Sequence, residues 1–338
     1  MIKNAIFSVS IISTMFLAGC DNTAKVPEST SQQIEQSNTI TIGFSDYPGW
    51  VAWQIAIEKG WLKEAGVNVD FKWFDYSASL NAFAAKQIDA VTVTNGDNLV
   101  VSSQGTKGLI VLATSYSDGN DAIIAKSDIK TLQDLQGKTV ALEKGLVSHL
   151  LLNTALTDAG IPLESVKISN ALTNELPQVF TASDISAVAA WQPVVNYALK
   201  AVPASKVIYS SAEKPGLIFD TVSVNAEHLM QNKVQWEKIV QVWGKVVNYI
   251  NNPETHEDAV RIMAKRVNIS PEEYESFMKG THFLNLQENK MAFKKQDDLK
   301  SIYGSTYNVN RFNIEFGVYD KKMDVDSLIY PNLVENAK

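Results

Sequence analysis

Four carboxylates and five aromatic side chains stand on short segments bordering predicted strands, and together they suit one kind of chemistry. They are Asp46, Asp97, Glu143 and Asp220 with Tyr47, Trp50, Trp53, Tyr76 and Trp191, joined by the amide of Asn95. Grouped carboxylates repel an anion and stabilise a cation or a poly-donor such as a guanidinium or amidinium group. Indole and phenol faces add cation–π attraction, about 0.5–2 kcal/mol per dry contact. The chain has three arginines, Arg261, Arg266 and Arg311, none of them on these segments. An anion would therefore rely on helix N-termini, whose N–H groups suit oxyanions. Plainer readings stand beside the chemical one. Trp53 is equally a core residue of the first helix. Asp46, Asp97 and Asp220 suit helix caps, and Glu143 with Lys144 suits a surface pair of little consequence. Trp61, Trp73, Trp236 and Trp243 fall at strand or helix-interior positions and read as packing.

Other chemistries find no footing. Gly137-Lys138-Thr139 resembles the end of a phosphate-binding loop, but its first glycine belongs at position 132, which is Leu132. Neither a G-x-S-x-G elbow nor a G-x-G-x-x-G turn occurs. His149, His228, His256 and His282 are too far apart in sequence for a metal motif, and His149 reads as structural. These observations predict no metal, no cofactor and no catalytic residue.

The elements that must position the site alternate in type. Thr39–Phe44, Val67–Phe74, Ala90–Thr94, Gly108–Thr114, Lys138–Leu142, Val166–Ser169, Ile185–Ala190 and Lys206–Tyr209 read as strands. Trp53–Glu64, Ser79–Lys86 and Leu146–Ala159 read as helices between them. After Asn225 the chain turns helical: Val234–Asn251, Glu254–Val267 and Pro271–Lys279, the last opened by a Ser270-Pro271 start signal. Strands alternating with helices predict crossover connections and mostly parallel sheets. Ligands of such sheets bind beyond the carboxyl ends of the strands, which is why the bordering segments carry the candidate site.

The N-terminus has a different character. Lys3, an apolar run from Ala5 to Leu17 and Leu17-Ala18-Gly19-Cys20 have the size and order of a secretory leader. The last four residues resemble the lipobox of bacterial lipoproteins, with Cys20 as the lipidated residue. The reading is a signal peptide over 1–19 and a flexible polar tether over 20–38. Cys20 is the only cysteine in 338 residues, so a lipidated chain has no disulfide and no thiolate nucleophile. The length predicts two domains. A net charge of −7 without basic clusters argues against a nucleic-acid partner.

Five stretches in order carry a family resemblance: Gly43-Phe-Ser-Asp-Tyr-Pro-Gly-Trp50, Ala56-Ile-Glu-Lys-Gly-Trp-Leu-Lys-Glu-Ala-Gly-Val67, Leu80-Asn-Ala-Phe-Ala-Ala-Lys-Gln-Ile-Asp-Ala90, Leu132-Gln-Asp-Leu-Gln-Gly-Lys-Thr-Val140 and Ala189-Ala-Trp-Gln-Pro193. They resemble the nitrate/sulfonate/taurine-type periplasmic solute-binding proteins of ABC importers, over roughly residues 39–315. The resemblance implies an α/β, two-lobed periplasmic-binding-protein fold (type II), two doubly wound domains joined by a two-segment hinge. Lobe 1 would comprise 39–116 and 221–338, and lobe 2 would comprise 117–220, with hinges near Tyr116-Ser117 and Phe219-Asp220. It further implies a non-enzyme, a monomer on the periplasmic or outer side of the cytoplasmic membrane. Its partners would be a small-molecule solute, ABC permease subunits and, through the lipid on Cys20, the membrane. The pocket segments are more similar to the urea- or guanidine-related branch, which implies a nitrogenous solute. Sulfonate, taurine or nitrate binding by the same fold is the alternative. A pyrimidine-precursor (thiamine) synthase of this fold and a sensor or adhesin domain are alternatives from other classes.

Overall fold

The computed structural model describes residues 39–337. The expected leader, the tether and Cys20 lie outside the described residues. Eleven strands among the described residues sort into two sheets. The first holds β1 (Ile40–Phe44), β2 (Val69–Trp73), β3 (Ala90–Thr94), β4 (Gly108–Ser117), β10 (Phe219–Asn225) and β11 (Thr281–Phe283), in the order β11-β4-β10-β3-β1-β2. The second holds β5 (Asp121–Ala125), β6 (Thr139–Leu142), β7 (Lys167–Asn170), β8 (Ala187–Trp191) and β9 (Lys206–Ser210), in the order β7-β6-β8-β5-β9. Each sheet and its helices form one lobe of a two-lobed α/β fold.

The expectation of mostly parallel sheets needs correcting. β1 pairs parallel with β2 and β3, and β6 with β7 and β8. β10, however, runs antiparallel to β3 and β4, and β5 runs antiparallel to β8 and β9. The cause is the chain's path between sheets. It leaves the first sheet at the end of β4 and returns at the start of β10, so these strands run against their neighbours. Tyr116-Ser117 and Phe219-Asp220, expected as hinges, lie inside β4 and β10, where Tyr116 pairs with Phe219. The connections between the sheets are the stretches 118–120 and 211–218.

Helices cover the sheet faces. All five residues of β3, β5 and β8 are buried, as expected of strands packed on both sides. The predicted helix Trp53–Glu64 is broken in two, Trp53–Glu58 and Trp61–Glu64, because Gly60 takes φ 73° between them. The helical region after Asn225 forms Lys233–Asn251, His256–Arg266 and Pro271–Met278, the last capped by Ser270 Oγ accepting from Glu273 N–H. A further helix, Ile302–Glu315, had no clear sequence signal and packs behind the helix Asn95–Ser103. No helix among the described residues is long and apolar enough to cross a membrane.

Candidate functional site

The two lobes meet along a line of rings. Tyr47 leans on Trp50 at 5.3 Å between centroids, and Trp50 stacks on Tyr76 at 5.1 Å and 19°. Tyr76 meets Trp191 of the other lobe edge-on at 5.2 Å. These rings enclose a cavity of about 10 Å³ whose wall also includes Thr94, Asp121, Val147 and Asp220. Such a volume is about one water-sized sphere. Trp50 lies in a one-turn helix, Pro48–Val51, whose Pro48 is set for a helix start. Gly49 permits the close packing behind it, since a Cβ there would lie 1.9 Å from Ser115 Oγ. Ser115 in turn donates to Asp220 Oδ2 at 2.7 Å, so the glycine sets the position of that carboxylate.

The carboxylates around this box are buried without a cation. No ion pair among the described residues involves Asp46, Asp97, Asp121 or Asp220. Loss of water raises the pKa of Asp97 and of Asp121 to about 7, and that of Asp46 to about 6. Burial pushes Asp220 well up too, with Asp121 nearby adding to the rise. Hydrogen bonds pull the other way. Tyr76 Oη donates to Asp97 Oδ2 at 2.7 Å, and the Val147 N–H, across the cleft, also lowers the pKa of Asp97. Trp191 Nε1 lies near enough to Asp46 to lower its pKa, but it makes no bond of ordinary geometry. The Trp50 indole N–H is likewise buried without a partner.

Outside the box, between the lobes, lies a larger cleft of about 260 Å³. Asp46, Asp75 and Glu143 line it, with Trp73, Phe74 and Leu172; Tyr76 and Trp191 form part of its wall as well as part of the inner one. Glu143 closes the divide between the lobes. It accepts from Ser77 Oγ of the first lobe, and from Thr173 Oγ1 of its own lobe at 2.9 Å. It is not the exposed partner of Lys144 that one plain reading offered.

Of the ten residues singled out from sequence, Tyr47, Trp50, Tyr76, Trp191 and Asp220 wall the inner box. Asp97 borders it through Tyr76, and Asp46 and Glu143 line the outer cleft. Two do not belong. Trp53 is fully buried in the first lobe's core, 5.4 Å from Phe71 and 5.0 Å from Trp243. Asn95 is spent on scaffolding: its amide donates to Ser305 and Thr306, both at 3.0 Å, and accepts from Phe219 N–H. Asp97 does not cap its helix; Thr94 Oγ1 does, accepting from Asp97 N–H at 3.1 Å. His149 is a core residue packed against Phe312, its pKa lowered to about 4 by burial.

Asp121 is the residue that sequence reasoning missed. The sequence pattern points to the segments that follow strands, and Asp121 begins a strand. Because β5 runs antiparallel to β8, its first residue pairs with Trp191 at the cleft end. Asp220 likewise sits near the start of β10, opposite Thr94 at the end of β3. An antiparallel strand presents its beginning where a parallel one presents its end.

This architecture is that of the periplasmic binding proteins. The structure superimposes on the periplasmic aliphatic sulphonate binding protein SsuA of Escherichia coli with a TM-score of 0.71 at 17% identity, covering 88% of this chain and 99% of that one. Residues 50–256 match the family described as NMT1/THI5 like, and the chain belongs to that family. A binding protein of Brucella abortus (strain 2308) is 26% identical over 166 residues, 48% of this chain and 51% of that one. The taurine-binding periplasmic protein of Escherichia coli (strain K12) is 29% identical over 135 residues, 40% of this chain and 42% of that one. The chain thus spans about half the length of the curated relatives it matches.

Proposed function

We propose that this protein is the extracytoplasmic solute-binding component of an ABC importer, tethered through a lipid on Cys20, and that it binds without turnover. Its solute is small, nitrogenous and cationic or rich in N–H donors, guanidinium-like in its recognition. The observation that carries this reading is a set of carboxylates without a basic partner, Asp97, Asp121 and Asp220 buried and Asp46 half-buried. Buried charges without counterions are costly, and a cationic or donor-rich solute supplies what they lack. The rings of Trp50, Tyr76 and Trp191 add faces suited to a cation.

A sulfonate, taurine or nitrate ligand is the second reading, favoured by the similarity to sulphonate- and taurine-binding proteins. It meets an obstacle in the box itself. The twelve-residue helix Val147–Asp158 has no side-chain cap of its own, which would suit an oxyanion, but its first N–H already faces Asp97. Thr94 caps the helix Asn95–Ser103. Both helix starts at the box are therefore already matched with groups of the protein.

Thermal unfolding with added solutes separates the two readings. Guanidinium, methylguanidinium and small amines are compared at low millimolar concentration with taurine, alkanesulfonates and nitrate. A ligand at a hundred times its Kd adds about 2.7 kcal/mol of stability. A rise in melting temperature with the cations supports the reading. A rise with the anions alone overturns it in favour of the second.

A further inference from the structure

The inner box and the outer cleft differ in size but agree in charge. The box, at about 10 Å³, has room for one small group, whereas the cleft holds about 260 Å³. An organic solute whose head enters the box must leave its remaining atoms in the cleft, along the Tyr76 and Trp191 rings that both spaces share. Neither wall contains a lysine or an arginine. Instead the cleft repeats the inner pattern. Asp46 is half-buried beside Asp75, with no ion pair, and Trp73 and Leu172 stand 39% and 48% exposed at the mouth. A second, independent sign of a ligand here is the Trp191 indole. It is 3% exposed, walls both spaces, and its N–H lacks a partner of ordinary geometry.

We infer that the solute is an elongated dication, an α,ω-diamine or amino-guanidine, with one cationic end in the box walled by Asp121 and Asp220, which Asp97 borders through Tyr76, and the other at Asp46 and Asp75 in the cleft. This deepens the proposed cation reading and rests on it. The methylenes of such a solute run along Tyr76 and Trp191 and lie against Trp73 and Leu172, where apolar surface is otherwise left to water. The outer cation gives Asp46, whose desolvation is opposed by no positive charge, its counterion.

The test compares each diamine with the monoamine of the same carbon count, by calorimetry on the purified chain: 1,3-diaminopropane with propylamine, 1,4-diaminobutane with butylamine, 1,5-diaminopentane with pentylamine. At least one diamine is expected to bind ten-fold or more tightly than its monoamine. The double variant D46N/D75N should erase that preference by lowering diamine affinity more than monoamine affinity, and D97N should weaken both series. Both outer positions reach solvent, so the double variant is expected to fold; an unchanged melting temperature checks this. If monoamines bind and diamines gain nothing, or if the preference survives in D46N/D75N, the dication inference falls and the cation reading stands. If no amine binds while taurine or nitrate does, both fall.

Discussion

Asp258 and Asp97 are the same residue type in opposite settings, and the contrast shows how this molecule distributes its positive charge. Asp258, at the start of the helix His256–Arg266, accepts from Tyr249 Oη at 2.8 Å and pairs with Lys59 at 2.7 Å and with Arg261. Those partners hold its carboxyl well below the usual range. Asp97 is buried, accepts from the Tyr76 hydroxyl, and is raised to about 7 by loss of water. The chain carries 30 lysines and arginines. Among the described residues, eight of them pair with carboxylates outside the cleft, and none lines the box or the cleft. Asp258 is matched by basic groups within the fold, whereas Asp46, Asp97, Asp121 and Asp220 have no basic partner among the described residues.

The largest expected effect of breaking this contrast is at Asp97. Asp97→Asn should lower affinity for a cationic solute about 100-fold, since removing one partner of a buried charge pair costs about 2–5 kcal/mol. The melting temperature of the solute-free protein should hold or rise, because an unpaired buried acid destabilises the fold it serves. Calorimetry with paired thermal scans reads both quantities. Unchanged affinity, or a gain for sulfonates, would place the cation elsewhere.

The pH dependence is the next largest effect. Carboxyls whose folded pKa is raised above the ordinary 3.8 bind protons more tightly when folded. Stability of the solute-free protein from these groups is therefore greatest at low pH, and falls as pH rises from about 4 through 7. A cation selects the ionised carboxylates, so its affinity should rise between about pH 6 and 8, with protons released on binding. An anion should show the reverse. Calorimetry in buffers of different ionisation enthalpy counts the protons, and proton uptake on binding would sink the cation reading.

How much of this was legible in the sequence depended on strand direction and on what lay behind each residue. Positions at the ends of parallel strands were found: Asp46 and Tyr47 after β1, Asp97 after β3, Glu143 after β6. Asp121 was missed because antiparallel direction is a property of the tertiary path and leaves no local mark. Trp50 and Trp53 are three residues apart in consecutive short helices, yet one stacks on Tyr76 and the other packs on Trp243. Nothing in residue type separates them, because the deciding ring lies 190 residues further on. Asn95 and Asp97 divide in the same way: the hydroxyls that occupy Asn95 come from a helix that begins at Ile302. Residue types and order gave the class of fold. Assignment of each polar group to scaffold or cleft needed long-range contacts.

That division predicts a different cost for Asn95 than for its neighbour. Asn95→Ala removes three bonds and leaves the Phe219 N–H without its acceptor, in a buried setting. Leaving a buried donor unsatisfied costs about 1–3 kcal/mol, so the melting temperature should fall while the affinity of the folded protein changes little.

The smallest effect is expected at Asp258, and it tests the comparison from the other side. Its side chain is 31% exposed, and exposed ion pairs contribute about 1 kcal/mol or less. Asp258→Asn should lower stability within that limit at neutral pH. A carboxyl with a depressed folded pKa stabilises above its unfolded value of about 3.8 and loses that contribution as pH falls. The difference between wild type and variant should therefore shrink in acid and at high salt, which screens the pair. Solute affinity should not move. The helix carrying Asp258 packs against Trp53–Glu58 and touches Pro48–Val51, but none of its own residues walls the box. A change in affinity in this variant would mean that surface charge reaches the cleft through the first lobe. Scaffold acids and cleft acids would then act as one electrostatic system rather than two.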